Sequence, residues 1–396
     1  MLDPLQEAQA SRDRRDIDPR VGALLGEAAA QRVRARAPAP RREPERPTPA
    51  QEAAPWIEEG PSYHGLPVLK EPVWGWEIPT YFFTGGLAGA TAVLGAAATL
   101  AGGRGTGTLV RRCRLVAAGG AALSAALLVK DLGRPGRFLG MLRVFRPTSP
   151  MNMGTWILSA FGACAGLAAL PALAPGAAAL APAADVAAYG AAALGLPLVG
   201  YTGVLIANTA VPVWQQTRNT LPILFAFSGA VSAGGLLDLW GTPGAGGEMA
   251  HRFGLVAKGG ELALSRALHR EARIVPRVER ALRTGRGGAL LAAARTLLAA
   301  SALLDLLPGR GSRLRRAASG GLALAGTLAI RLGVVAAGRA SARDPHATFE
   351  MQRAGRGAAE LARKEEAAPG EAAPAMPSIP GVDATGKESS QHGAAP

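Results

Sequence analysis

The chain has 396 residues, 48% of them hydrophobic, with 43 basic and 29 acidic side chains and a formal net charge of +14. Its two cysteines are too few for an iron–sulfur cluster, which takes about four thiolates, and its five histidines all lie outside the uncharged stretches in which helices could hold a haem. The positive charge would suit nucleic acid, but basic membrane loops beside anionic lipid explain it better, so nucleic acid is not expected as a partner.

Two polar tails flank the apolar centre and explain the modest mean hydropathy of +0.16. Residues 1–70 hold 11 basic and 11 acidic side chains, and residues 349–396 hold 5 and 7, without hydrophobic periodicity. Segments of this composition cannot bury a core, so both tails are predicted to be disordered. The central part, 71–348, keeps 27 basic and 11 acidic residues and is predicted to form one transmembrane domain.

Three stretches of the centre contain no Asp, Glu, Lys or Arg: 78–103, 147–184 and 186–217. Each is longer than the roughly 20 residues that a helix needs to cross a bilayer. The pattern predicts an all-α polytopic membrane protein with about eight spans, near 78–101, 112–130, 153–173, 184–209, 219–239, 250–268, 288–307 and 318–338. Because the last three carry charges, seven spans with an interfacial helix over 250–286 is the alternative. The abundance of Gly and Ala in every span predicts close helix packing.

Eight spans place both ends of the domain on the same side of the membrane. The loops predicted on that side hold 13 basic residues, and the opposite loops hold 9. Since cytoplasmic loops are enriched in Lys and Arg, the count favours cytoplasmic termini.

The entry to the first span joins tryptophans to a carboxylate and a phenol. Trp74 and Trp76 are typical of an interfacial aromatic belt, and Glu77 could simply complement the helix dipole. Glu77 and Tyr81 are four residues apart and share a helix face. Such a pair at the membrane surface could instead bind and deprotonate a quinol head group.

The loop after the second span is short, rigid and basic. Arg134 and Arg137 could each pair with Asp131, while Thr148 or Ser149 could cap the next helix. Arginine-rich rigid surfaces suit protein interfaces, which predicts a docking surface for a partner subunit. Its residues are Asp131, Arg134, Pro135 and Arg137. The alternative is a loop whose positive charge only sets the orientation of the chain.

Polar residues also mark the end of the fourth span. Tyr201 and Asn208 are seven residues apart and therefore face the same way, so they could line a pocket opposite Tyr81. Alternatively, Asn208 and Thr209 are structural and hydrogen-bond across helices.

Charged residues inside the later spans form a second constellation. Lys258, Glu261, Arg295 and Asp305, with Arg331, are costly in lipid and therefore indicate function, here a candidate proton path. The alternative is that they only pair with one another.

Four sequence blocks together resemble the NrfD family, the membrane subunits of polysulfide-reductase-type and nitrite-reductase-type complexes. The blocks are EIPTYFFTGGLAG (77–89), KDLGRPGRFLGMLRVFRPTSPMNMGTW (130–156), YTGVLIANTAVPVW (201–214) and GRASARDPHATFEMQR (338–353). The resemblance implies eight transmembrane helices in two four-helix bundles, in a bacterial inner membrane. It also implies a haem-free subunit that binds menaquinone or ubiquinone and exchanges electrons with a ferredoxin-like iron–sulfur subunit and, beyond it, a molybdopterin-type or similar catalytic subunit.

The same resemblance implies positions for the quinone site. They are Glu77, Tyr81 and Tyr201, with Asn208 as a further candidate. The chain lacks the histidine that some relatives carry in the first span, which shifts proton transfer to Glu77 or Tyr81. Two other functions remain open: a structural anchor without a quinone site, and an ion transporter that uses Glu261, Arg295 and Asp305.

Overall fold

The structure is a computed structural model that describes residues 17–18, 23–24, 67, 69–103, 105–133, 136–307 and 312–353. The predicted disorder of tails 1–70 and 349–396 concerns residues that lie almost entirely outside this set. The chain divides into two units, Met1–Tyr63 and His64–Pro396. In the first unit, Ile17–Asp18 and Ala23–Leu24 form a two-residue antiparallel ladder.

The described part of the second unit is all-α, as predicted. Its helices are α1 (Glu77–Leu100), α2 (Gly107–Asp131), α3 (Gly136–Met141), α4 (Pro150–Leu173), α5 (Ala181–Ala207), α6 (Pro212–Gln216), α7 (Thr220–Trp240), α8 (Gly244–Ala272), α9 (Pro276–Arg283), α10 (Gly285–Leu306), α11 (Arg313–Ala342) and α12 (Pro345–Arg353). A 3-10 turn over Pro175–Leu180 precedes α5. All eight predicted spans coincide with a long helix.

Seven of these helices are long and apolar enough to cross a membrane: α1, α2, α4, α5 with the turn before it, α7, α10 and α11. Helix α8 has the length but carries several charged side chains. It packs antiparallel to α7 along its whole length, from His251 beside Asp238 at one end to Glu271 at the other, where the Glu271 carboxylate accepts from the Thr220 N–H at 3.1 Å. A polytopic membrane fold is therefore confirmed, while the count of eight spans and their two-bundle arrangement stay predictions.

Close helix packing is confirmed at several crossings. Where α1 meets α5, a side chain added at Gly89 would place its Cβ 2.8 Å from the Gly195 carbonyl oxygen. Where α7 meets α8, a Cβ on Gly234 would lie 2.5 Å from the Gly254 Cα. Backbones this close leave no room for any side chain, which is how small residues hold membrane helices together where water provides no driving force.

The long helices alternate in direction, so the domain has two ends. The Glu77 end contains the start of α1 and α4 and the end of α2, α5 and α11. The opposite end, here the Leu100 end, contains the start of α2, α8 and α11. The three blocks between residues 77 and 214 that resemble a known family all contribute to the Glu77 end.

Candidate functional site

Glu77 opens α1 and forms an ion pair with the last turn of α2. Its Oε1 lies 3.2 Å from Lys130 Nζ, and the two side chains are 14% and 59% exposed. The ammonium also lies 4.5 Å from the centroid of the Trp76 ring. Gly75 leaves the space into which the Glu77 carboxylate folds. The carboxylate is thus held at the domain surface by a cation from a neighbouring helix.

Two phenols lie beneath this ion pair. Tyr81 is one turn after Glu77, is 3% exposed, and lies close enough to Tyr201 of α5 for the two to interact electrostatically. Tyr201 donates to the Pro150 carbonyl oxygen, and its ring occupies the space beside Gly154, where a side chain would overlap it. Among the described residues, the Tyr81 hydroxyl has no hydrogen-bond partner. Tyr201 therefore anchors α5 to α4, whereas the Tyr81 hydroxyl remains available to bind a ligand.

Asn208 lies apart from these phenols. Helix α5 ends at Ala207, and Asn208 is exposed, with its Nδ2 donating to the Val204 carbonyl at 2.9 Å. Thr209 similarly donates to the Ile206 carbonyl at 2.7 Å. The hydrogen bonds across helices predicted for both residues are therefore replaced by local ones, because the last carbonyls of a helix have no partner within it.

The predicted docking loop is described in part. Asp131 is the exposed last residue of α2. Arg134 and Pro135 lie outside the described residues, as does the side chain of Arg137 in α3, so their pairing with Asp131 stays a prediction.

Asn152, which the sequence analysis did not single out, holds the rest of this loop. Its Nδ2 donates to the carbonyls of Met141 at 3.0 Å and Val144 at 2.8 Å, and its Oδ1 accepts from the Arg146 N–H at 2.7 Å. The predicted cap is confirmed at Ser149, which accepts from the Asn152 N–H. An asparagine in the first turn after a loop is a signal for such side chain–backbone bonds.

A second unpredicted feature ties the segment before α1 to α11. Trp74 stacks on Trp214 of α6, with centroids 5.4 Å apart and planes at 10°. Trp214 is buried and donates from Nε1 to the Val334 carbonyl at 2.9 Å. Glu71 accepts from Arg343 Nε at 2.7 Å, and this hydrogen bond raises the pKa of Arg343 above its ordinary value. Of the two tryptophans predicted to form an aromatic belt, Trp76 is 58% exposed, whereas Trp74 packs inward.

The charges predicted inside the later spans separate into different surroundings. Lys258 and Asp305 form an ion pair of 2.6 Å with exposures of 1% and 2%. Lys258 also donates to Ser319 Oγ at 3.0 Å, and Ser319 in turn contacts Ser301. The pair is therefore desolvated and hydrogen-bonded between α8, α10 and α11.

Glu261 follows Lys258 on the same face of α8 and is fully buried. Neither of its carboxylate oxygens meets a hydrogen-bond donor within the described residues. It interacts electrostatically with Arg331 of α11, which donates to the Phe225 carbonyl at 2.8 Å and lies 3.7 Å above the Phe225 ring. Toward the Leu100 end, His251 Nδ1 lies 3.0 Å from Asp238 Oδ2, a hydrogen bond that the sequence pattern did not indicate.

Arg295 lies outside the buried column formed by Lys258, Glu261 and Asp305. Its Nη1 lies 2.7 Å from Nε2 of His269 near the end of α8. Asp305 is ten residues further along α10, about 15 Å away at the rise of an α-helix. The predicted proton path thus divides into a buried column and an arginine at the Glu77 end.

Residues 67–240 match the family model described as polysulphide reductase, NrfD. No curated protein matches the chain. The matched range begins before α1 and ends with α7, so it includes Glu77, Tyr81, Tyr201 and the loop held by Asn152. The buried ion pair of Lys258 and Asp305, Glu261, and the block at 338–353 lie beyond it. The polytopic helices and this match agree with the resemblance drawn from the sequence: over residues 67–240 the chain is similar to the NrfD (polysulphide reductase) family.

Proposed function

We propose that the protein is a haem-free, quinone-reactive subunit of a respiratory oxidoreductase complex in a bacterial inner membrane, with both ends of its membrane domain cytoplasmic. It exchanges electrons between menaquinone or ubiquinone and a partner iron–sulfur subunit. NrfD proteins are membrane subunits of polysulfide-reductase-like complexes, which supports the general role. The observation that supports a quinone site is the buried Tyr81 phenol, whose hydroxyl has no partner among the described residues.

The residues of the Glu77 end fit a quinone head group. The Tyr81 hydroxyl is free to donate, and a quinone carbonyl is an acceptor that it could bind. Oxidation of a quinol releases two electrons and two protons. Glu77 lies one helical turn above Tyr81 and is held as a carboxylate by Lys130, so it can take a proton at its Oε atoms and pass it to the surface.

The surface around this site supports a partner on the same end. Phe145 is 60% exposed, Met151 59% and Trp76 58%, and the exposed arginines Arg143 and Arg146 stand among them. Exposed aromatic and Met side chains with Arg are typical of the centre of a protein interface. We propose that a ferredoxin-like subunit docks here and connects the quinone site to a molybdopterin-type or similar catalytic subunit.

The test uses the complex purified in mild detergent from its own membrane. Tyr81→Phe and Glu77→Gln should each lower quinol-linked turnover per assembled complex by at least tenfold, since a positioned acid–base group contributes about 10²–10⁴. Tyr189→Phe, which removes a hydroxyl from a 39% exposed position on α5, is the matched control. Normal turnover in both variants would reject the site, and a complex that binds no quinone would identify a structural anchor.

We also propose that the buried column carries protons, through Lys258, Glu261 and Asp305. Glu261 supports this, because an ionisable side chain buried without a hydrogen bond in a membrane domain is costly and therefore indicates function. In vesicles holding the complex, Glu261→Gln should abolish the pH change coupled to turnover. Glu248→Gln, at a half-buried ion pair with Arg316 near the start of α8, should not. Equal pH changes in the two variants would exclude the column as the path.

A further inference from the structure

Five arginines and a histidine surround an open cavity of about 630 Å³ at the Glu77 end, between α8, α9 and α10. They are Arg266, His269, Arg270, Arg273, Arg283 and Arg295. Glu279 of α9 neutralises part of this charge, with its Oε1 2.9 Å from Arg273 Nε and 2.8 Å from an Arg283 Nη atom. Within the described parts of the chain, the other three arginines have no carboxylate partner. The cavity is therefore strongly cationic.

At least one of these positive charges, that of Arg295, is partly removed from water. It is half-buried in an apolar stretch of α10, and its contact is the neighbouring His269 at 2.7 Å. Because a guanidinium can only donate hydrogen bonds, His269 accepts at Nε2 and is neutral, so it leaves the arginine charge uncompensated. A cation in a membrane helix is costly unless an anion accompanies it. The missing anion must come from outside the described chain.

A second, apolar groove of about 490 Å³ continues from the cavity along α8 and α10. The two spaces share Arg266, Ala292 and Arg295, and the groove extends past them to Leu262 and Ala299. Leu262 and Ala299 lie one helical turn deeper than Arg266 and Arg295, toward the centre of the helices. A free phosphate ion would fill only the cationic part, whereas an acyl chain fits the apolar continuation.

We propose that this cavity and groove bind an anionic phospholipid, with its phosphodiester among the arginines and one acyl chain between α8 and α10. Arginine suits this ligand because its planar fork binds phosphate oxygens in pairs. Basic pockets between membrane helices recognise anionic head groups in the same way. The bound lipid supplies the anion that Arg295 lacks and fastens α10 to α8. The site is separate from the proposed quinone site, so its test does not depend on quinone chemistry.

The experiment measures lipid binding to the full-length protein after delipidation in detergent, by native mass spectrometry and by the Tm. Phosphatidylglycerol should bind and raise the Tm, whereas phosphatidylcholine with the same acyl chains and inorganic phosphate should not. Arg270→Gln/Arg295→Gln should weaken phosphatidylglycerol binding at least tenfold. Arg286→Gln, an exposed arginine of the same segment outside the cavity, is the matched control and should bind as the wild type does.

A second variant separates lipid binding from folding. Ala299→Phe fills the groove without changing the charge, and it should reduce the affinity for phosphatidylglycerol while the arginines remain. Equal binding of phosphatidylcholine and phosphatidylglycerol, or unchanged binding in both variants, would overturn the proposal. A Tm increase with inorganic phosphate as large as that with phosphatidylglycerol would assign the cavity to a free anion instead.

Discussion

The buried ion pair between Lys258 and Asp305 makes the sharpest prediction for stability. We expect Lys258→Met to lower the free energy of unfolding strongly, because it leaves the Asp305 carboxylate at 2% exposure without its cation. Asp305→Asn should be similarly harmful, since it leaves the ammonium without its anion. The double variant Lys258→Met/Asp305→Asn should recover most of the loss, as it buries no net charge.

The short distance between the Lys258 and Asp305 charges sets the size of the expected change in the free energy of unfolding. Two unit charges 2.6 Å apart attract by about 6 kcal/mol at an effective dielectric constant of about 20. Desolvation of both groups cancels much of this attraction, so the pair as a whole contributes little net stability. Removal of one partner costs about 3–5 kcal/mol, because the other remains buried and uncompensated. The coupling energy of the cycle should therefore be several kcal/mol.

The assay is unfolding in mixed detergent micelles, followed by tryptophan fluorescence, with all four proteins at the same detergent fraction. Arg252→Gln is the control, since its pair with Glu248 is an i,i+4 contact in which the arginine is 73% exposed, and pairs of that kind contribute about 0.3–0.5 kcal/mol. The reasoning fails if each single variant unfolds like the Arg252 control. It also fails if the double variant is less stable than both single ones.

Three further predictions concern packing, the loop and pH. Gly234→Val should prevent the close contact of α7 with Gly254 and lower the Tm by many degrees. The control Gly259→Val should shift the Tm little, because a Cβ at Gly259 meets nothing within 4 Å. Similar Tm values for the two variants would refute this prediction. Asn152→Ala should leave the helices intact but increase proteolysis of the loop over 141–149, since three backbone groups lose their partner; unchanged cleavage would contradict it. Hydrogen bonds from its two arginine partners outweigh burial and hold the pKa of Glu279 below its ordinary 4.5, so its stabilising effect is full above that pH and decreases as pH falls below it. Glu279→Gln should remove this acid dependence of the Tm, and an identical pH profile would oppose it.

The helices could be predicted from the sequence to within a few residues, and their errors have one cause. Runs without charge predicted the eighth span from 318, but α11 begins at Arg313 and includes three arginines that the prediction left out. One of them, Arg316, has its Nη2 2.9 Å from Glu248 Oε2, so its charge finds a partner on α8. A hydrophobicity pattern excludes such residues from a span because it cannot show these partners.

The candidate site was less predictable, because its pairs join residues far apart in the chain. Helical spacing related Glu77 to Tyr81 on a single helix, and the structure keeps that relation. The same kind of argument placed Asn208 with Tyr201. However, α5 ends at Ala207, and the Asn208 amide donates to the Val204 carbonyl of the same helix. Charge inside a predicted span grouped Arg295 with Lys258, although they lie on different helices and at different depths. Local periodicity thus carries information within a helix but not between helices.

The tie between the segment before α1 and the end of α11 has a consequence for synthesis. Glu71 and Arg343 are 272 positions apart in the sequence. Trp74 stacks on Trp214, which in turn donates a hydrogen bond to the Val334 carbonyl of α11. At about 5–20 residues per second, roughly 14–54 s pass between the emergence of the two ends of this tie. During that time α1 can pack against α2, α5 and α7 but not against α11. The contact between Glu71 and Arg343 therefore forms only after α11 has been synthesised, so a domain truncated before Arg343 lacks it.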